Sequence, residues 1–430
     1  MQKVINIAIA FRIFANNYNY NYNKLINFTL PKNINNRSVY IEKVRPFMNS
    51  NLIKVFTGQR RVGKSYLLYQ IIQEVLKYNE TATILYINKE DLAFSEIKTA
   101  QDLNNYVQIH KSKTEKTYLF IDEIQDIENF ESALRSLILD LQLDIYCTGS
   151  NANLLSGDIA GYLSGRYIEI QVFSLSYVEF LEFQELESNS KNLDLYLKYG
   201  GLPYLKHLKL EDEIVFEYLK NIYSTIVYRD IINRFSVRNV SFLEQLILFL
   251  ASNTGSIFSA KKISDFLKSQ RVNIAPNQVQ IYNRYLVNAF IIKGVSRYDI
   301  IGKRLFEFGE KYYFENLGIR NALWGYRIED RGKILENAVY NHLAYCGYKI
   351  SIGILGTKEI DFIAEKNGEK KYIQVAQSIQ EEQTIKREFG NLLAIKDNYP
   401  KIVITMDTFS GNTVEGIAIL DLETFLVTDF

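Results

Sequence analysis

The sequence predicts an α/β protein built on a parallel sheet with helices on both faces. Three observations predict it. Short apolar runs such as Leu52 to Thr57 and Thr117 to Ile121 lack the polar alternation of a half-exposed strand. Helix-patterned segments separate them, as crossovers between parallel strands require. The first run also passes directly into a glycine-rich turn, Gly58 to Ser65, that opens an amphipathic helix.

The elements follow in order. Leu52 to Thr57 is a buried strand, and Ser65 to Lys77 the helix after the turn. Ala82 to Asn88, Thr117 to Ile121, Leu143 to Cys147 and Tyr167 to Val172 read as further strands, with a helix from about Phe130 to Leu141. Ser176 to Val240 has helical periodicity broken at Gly200-Gly201-Leu202-Pro203. Ser241 to Trp324 holds short helices and then two strand candidates, Phe290 to Tyr298 and Arg304 to Phe314, an order that suggests a winged helix. A last unit begins near Arg331. It reads helix (Ile334 to Cys346), three strands (Tyr348 to Ile354, Glu359 to Glu365, Lys371 to Val375), helix (Glu381 to Lys396), then strands Lys401 to Thr405 and Gly416 to Asp421. The expected division is therefore 1–36 as an extension outside the fold, 37–175 as the sheet domain, 176–240 as a helical lid, 241–330 as the winged helix and 331–430 as a small α/β domain.

A chain of 430 residues with 47% hydrophobic residues can bury more than one core. Lys and Arg (50) balance Asp and Glu (49), so no global charge calls for a polyanion, although a local basic face still can. Two cysteines, Cys147 and Cys346, in apolar contexts fit a reducing cytoplasm and no disulfide. No run approaches a membrane span. Residues 1–36 hold a short apolar run broken by Asn6 and Arg12, then the low-complexity stretch at 16–23. They read as a disordered or non-native extension, with a peripheral anchor helix as the alternative. His110, His207 and His342 show no metal-ligand spacing.

Gly58-Gln59-Arg60-Arg61-Val62-Gly63-Lys64-Ser65 fits the P-loop pattern at every fixed position, in the strand-to-helix context it needs. The glycines let several backbone amides turn toward one anion, and the helix N-terminus adds partial positive charge. Lys64 is expected at the β- and γ-phosphates of ATP and Ser65 on Mg²⁺, while Arg60 and Arg61 face phosphate or a partner domain. Tyr66 continues the loop into the helix. The strand Tyr118-Leu119-Phe120-Ile121 then delivers Asp122 and Glu123 at its C-terminal end, where ligands of parallel sheets sit. Asp122 is the second magnesium residue and Glu123 the general base for the attacking water. Thr148-Gly149-Ser150-Asn151 ends the fourth strand with small polar groups able to reach the γ-phosphate or that water; the other reading is a plain turn. Arg166 precedes the fifth strand and is either a surface residue or an arginine finger, in cis or from a neighbouring subunit.

These residues, together with the segments at 173–180, 199–205 and 227–235, resemble bacterial and archaeal AAA-type ATPases of the archaeal-ATPase group. The resemblance runs from about Tyr40 to the C-terminus and is most specific through Asp230. It implies Gly58, Gly63, Lys64 and Ser65 at the Walker A positions, Asp122 and Glu123 at Walker B, and Ser150 or Asn151 at the sensor position. It also implies a winged helix and then a restriction-endonuclease-like domain. A nuclease of that type needs a helix Glu, a strand-end Asp and Glu-x-Lys on the next strand. Glu336 and Asp361 are placed for it, but Gln374 and Ala376 stand where the second acid and the Lys belong, which argues against cleavage.

The reading is a magnesium-dependent ATPase acting as a nucleotide-driven switch on double-stranded DNA or a protein partner. Helix residues Asn277 to Tyr285 offer Asn, Gln and Arg to bases and phosphates, with Arg297, Lys303 and Arg304 near the wing. An ATP-dependent nuclease and a nucleotide-binding scaffold with little turnover are the alternatives, and an oligomer is compatible with each.

Overall fold

A computed structural model describes residues 28–155, 161, 163, 165–269, 272–305, 309–380, 382–407 and 413–428. Five strands form one parallel sheet: β1 (Ile53–Thr57), β2 (Thr83–Asn88), β3 (Thr117–Asp122), β4 (Leu143–Gly149) and β5 (Tyr167–Gln171), in the order β2-β3-β4-β1-β5. Every residue of β1, β3 and β4 is buried, which is why these runs carry no polar alternation. β4 separates β1 from β3, so the glycine-rich turn and the acidic strand end share the C-terminal edge of the sheet. Helix α1 (Ser38–Val44) precedes the sheet, and α2 (Lys64–Tyr78) covers it with Leu67, Leu68, Ile71 and Ile72 inward. α3 (Ala100–His110) and α4 (Phe130–Leu137) cover the opposite face. The sheet domain is the α/β fold the sequence predicts.

The extension was expected to end at residue 36, but the fold begins earlier. Leu30 is buried, and the Phe28 ring lies 4.9 Å from that of Tyr86 and 6.4 Å from that of Tyr69. Gln70 ties the segment down by donating to the Asn35 carbonyl and accepting from the Arg37 amide. Residues 1–27, which carry the extension and anchor-helix readings, lie outside the described residues.

Beyond the sheet come α5 (Tyr177–Gln184), α6 (Ser190–Tyr199) and α7 (Asp212–Thr225), the last running into a π-helix at Ile226–Asn233. α8 (Val240–Ser252), α9 (Ala260–Ser269) and α10 (Pro276–Asn288) follow, then β6 (Ile292–Val295) paired antiparallel with β9 (Lys311–Phe314). Between them, β7 (Arg297–Asp299) and β8 (Arg304–Leu305) turn away and join another sheet. After α11 (Leu317–Trp324) and α12 (Arg331–Tyr345), that sheet is completed by β10 (Lys349–Leu355), β11 (Lys358–Lys366), β12 (Glu369–Ala376), β13 (Lys401–Thr405), β14 (Thr413–Val414) and β15 (Ile417–Asp421). Its order is β14-β15-β13-β12-β11-β10-β7-β8, with α13 (Glu382–Leu393) and α14 (Leu422–Val427) packed on it.

The expected break at 330/331 therefore does not separate two sheets. β7 pairs in parallel with β10, so the strand placed in a wing is captured by the C-terminal unit. One apolar core joins the sheet domain to α7, α8 and α10, and a second joins α5 and α6 to α12 and α14.

Candidate nucleotide site

β1 delivers Gly58 with φ +152°, and a side chain there would collide with the Val172 carbonyl at 2.2 Å, so only glycine fits where the loop leaves the strand. Gly63 is left-handed (φ +97°), and α2 begins at Lys64. Lys64 is buried and donates to the carbonyls of Gly58 (2.9 Å) and Gln59 (3.0 Å), folded back over its own loop. Burial holds its ammonium below the ordinary lysine range, against the opposing pull of Glu123 and Asp122. Val62 is buried in the core, and its carbonyl accepts from the Arg37 guanidinium.

The acidic pair converges on the same loop. Ser65 lies near enough to Asp122 to favour its carboxylate form, bringing the two expected magnesium residues together. Thr148 donates to Asp122 from β4, and Tyr86 donates to it from β2 at 3.1 Å. Burial raises the Asp122 carboxyl above its usual range despite these hydrogen bonds. Glu123 takes a left-handed backbone (φ +57°), a conformation that costs a non-glycine residue about 1–2 kcal/mol. Its amide donates to the Thr148 hydroxyl at 2.9 Å. Burial alone would raise its carboxyl, but Lys64 and Arg60 hold it below the ordinary value, so it stands ionised. Gln125 donates to that carboxylate and to Ser150.

Among the described residues, no three His, Cys, Asp or Glu side chains are grouped to hold a metal. The Ser65 hydroxyl and Asp122 carboxylate still suit magnesium, which takes one or two protein ligands and draws the rest from water and substrate phosphates.

The pocket over the loop has a volume of about 290 Å³. Arg60, Arg61, Lys64, Ser65 and Glu123 line its floor along the loop. Tyr66, Gln70 and Asn35 form one wall, and Pro203, Tyr204 and His207 the other. The second wall comes from the glycine break read in the sequence. Gly200 (φ +70°) leaves no room for a side chain beside Asn316, and the turn sets Pro203 against Gly63.

The remaining predicted residues divide. Asn151 is buried at the end of β4, on the edge that carries Asp122. Arg166 is not there. Its carbonyl accepts from the Ile53 amide at the start of β1, about 16 Å along the strand from the P-loop. Within one chain it cannot act as an arginine finger. Gln59 does not line the pocket and donates to the Phe290 carbonyl (2.9 Å), while Arg60 lines it but is engaged by Asp230 on the π-helix (3.0 Å).

The C-terminal unit brings Glu336 and Asp361 to one cleft, as expected, with Gln374 bridging the Asp361 amide and Glu388. Sequence reasoning missed Lys311, which reaches in from β9. Its ammonium lies 3.0 Å from Glu336 and 2.7 Å from Glu359, and Tyr313 donates to Glu336. The carboxylates therefore already hold a cation of the chain's own.

Fold and site together define a P-loop protein of the AAA class, and an AAA domain model matches residues 50–181. The chain belongs to the same family as an uncharacterized protein of Haemophilus influenzae, 39% identical over 392 residues that span 89% of this chain and 96% of that one. It is also similar to the uncharacterized protein MJ1544 of Methanocaldococcus jannaschii, at 29% identity over 87% of this chain and 86% of the relative. A second model, a domain of unknown function, matches residues 190–330, across the expected boundary between lid and winged helix. Among solved structures, that of the Aeropyrum pernix ORC1 protein in complex with DNA aligns with 68% of this chain and 93% of its own, at 11% identity and a TM-score of 0.32. Among the described residues, no helix is long and apolar enough to cross a membrane.

Proposed function

We propose that the chain binds ATP with magnesium, hydrolyses it, and uses the cycle as a switch on double-stranded DNA or a protein partner. The observation that carries this is the approach of Ser65 to Asp122, with Ser65, Lys64 and an ionised Glu123 lining one pocket. Lys64 leaves the Gly58 and Gln59 carbonyls for the β- and γ-phosphates. Ser65 and Asp122 would hold magnesium, which would supply positive charge to the phosphates. Glu123 accepts the proton of the attacking water, held by Gln125 and Ser150. Thr148 keeps Asp122 in place, and Asn151 is the group at the sensor position.

Three helices followed by the β6–β9 pair have the order of a winged helix. Beside α9 and α10 lies a cleft of about 740 Å³ with Lys261, Lys262, Gln280, Arg284 and Arg297 on it. Asn283 and Tyr282 are buried, so a nucleic acid would meet Asn277, Gln280 and Arg284 rather than the whole helix face. Gln374, Ala376 and the Lys311 ammonium among the carboxylates support a restriction-endonuclease-like fold that does not cut.

The test is ATP turnover of wild type and Lys64→Ala with and without duplex DNA. DNA-stimulated turnover in wild type alone supports a DNA switch. Turnover indifferent to DNA moves the partner to protein.

A further inference from the structure

We propose that Asp230 is an internal competitor for Arg60, so that a nucleotide entering the P-loop loosens the π-helix that carries Asp230. The proposal rests on the nucleotide-binding reading of the site.

Arg60 is the third residue of the phosphate loop, and its guanidinium is committed elsewhere. Nε and Nη2 donate to the two oxygens of Asp230, each at 3.0 Å, and Nη1 donates to Glu90 at 3.0 Å. The pair is buried, with side chains 5% and 2% exposed. A fork of this kind binds one planar anion at a time with those two donors. A carboxylate therefore occupies the donors that a phosphate oxygen would use.

The pair continues as a ladder. Glu90 is shared with Arg229, which also reaches Asp126 at 2.9 Å, four residues after Asp122. Arg229 and Asp230 are neighbours on the π-helix, yet they contact loops following β1, β2 and β3. All three loops sit on the edge of the sheet where the triphosphate is read to bind. A polyphosphate there attracts Arg60 and repels Asp230, Glu90 and Asp126. Burial makes both effects larger at Arg60 and Asp230 than they would be in water, and solvent screens them at the more exposed Glu90 and Asp126.

The π-helix suits such a latch. An eight-residue stretch of i→i+5 bonding is unusual and marks a site where the helix can change winding. Gln59 holds the Phe290 carbonyl independently, so releasing Asp230 loosens the π-helix without detaching the rest.

A structural ion pair and a competing one make different predictions. If the pair only holds the fold, losing either partner acts in the same direction. If Asp230 competes with phosphate, the two losses act in opposite directions. The experiment is calorimetric titration of the full chain with magnesium and a non-hydrolysable ATP analogue, with hydrogen exchange of residues 226–233 measured alongside. Asp230→Asn should tighten binding by about fivefold or more, and Arg60→Ala should weaken it by a similar factor. In wild type, exchange at 226–233 should speed up when the analogue binds.

Shifts of the same sign, or no tightening in Asp230→Asn, overturn the proposal. If Asp230→Asn does not fold, the wild-type exchange decides: unchanged or slower exchange on binding overturns it. Lys64→Ala separates the two readings. If wild type binds the analogue, Lys64→Ala does not, and Asp230→Asn is no tighter, only the competition fails. If wild type binds nothing, the nucleotide reading fails and takes the proposal with it.

Discussion

Two carboxylates, Glu123 and Asp361, are perturbed in opposite directions at the residue scale. Glu123 lies below the ordinary carboxylate range because Lys64 and Arg60 outweigh its burial, so it is ready to accept a proton at neutral pH. Glu123→Gln should keep nucleotide binding and lower turnover by roughly 10²–10⁴-fold, measured as phosphate release beside a binding titration. Asp361 behaves the other way. Burial first, and then the charge of Glu336, hold its carboxyl well above the usual value. A raised carboxyl costs stability when ionised, and that cost is full above its folded-state value and gone below the ordinary value near 4. Asp361→Asn should therefore raise the melting temperature at pH 7.5, and the gain should vanish in scans taken toward pH 4. The loop glycines, Lys64, Ser65, Asp122 and Glu123 were legible because their spacing is local and their chemistry strict. Tyr86, Asp230 and Lys311 were not. Arg60 and Asp230 are 170 residues apart, and no local pattern marks a side chain whose partner the chain meets only after folding.

Elements were read well where burial alone decides them. β13 matches its expected bounds, and β1 to β5 differ from theirs by a residue or two at the ends. The misreadings involve tertiary pairing. A strand such as β7 reads as part of a wing until β10 takes it as a neighbour, and the break in winding at Ile226–Asn233 has no composition of its own. Residues before 37 read as an extension because their contacts are single and long-range, as with Asn35 and Gln70. The tie that follows is stronger. Ser176 and Glu179 form a capping box at the start of α5, and Glu179 also pairs with the buried Arg37 just before α1. Removing one partner leaves a buried charge unpaired. Glu179→Ala should lower stability by about 3–5 kcal/mol in chemical denaturation, while Glu182→Ala on the same helix should cost far less.

Across the whole molecule, the cores do not respect the expected domain boundaries. Leu175, Tyr177 and Leu197 share a core with Ile334, Leu343 and Phe425, and β7 with β8 completes the C-terminal sheet from outside it. A chain ending at Asp330 would expose that apolar face and strand β7 and β8 without a partner. It should aggregate or lose cooperative unfolding, measurable by light scattering and calorimetry. A linked body of this kind suits a switch, because the pocket that holds Lys64 is walled by the Pro203 turn and bolted through Gln59 and Arg60 to the helices beyond. The central claim is that this pocket binds and hydrolyses ATP. Phosphate release from ATP and magnesium by wild type, Lys64→Ala and Glu123→Gln, each paired with a binding titration, tests it most directly. The account predicts that wild type binds and turns over, Glu123→Gln binds without turnover, and Lys64→Ala does neither. Wild type that fails to bind ATP, or Lys64→Ala that hydrolyses it as fast as wild type, would contradict it.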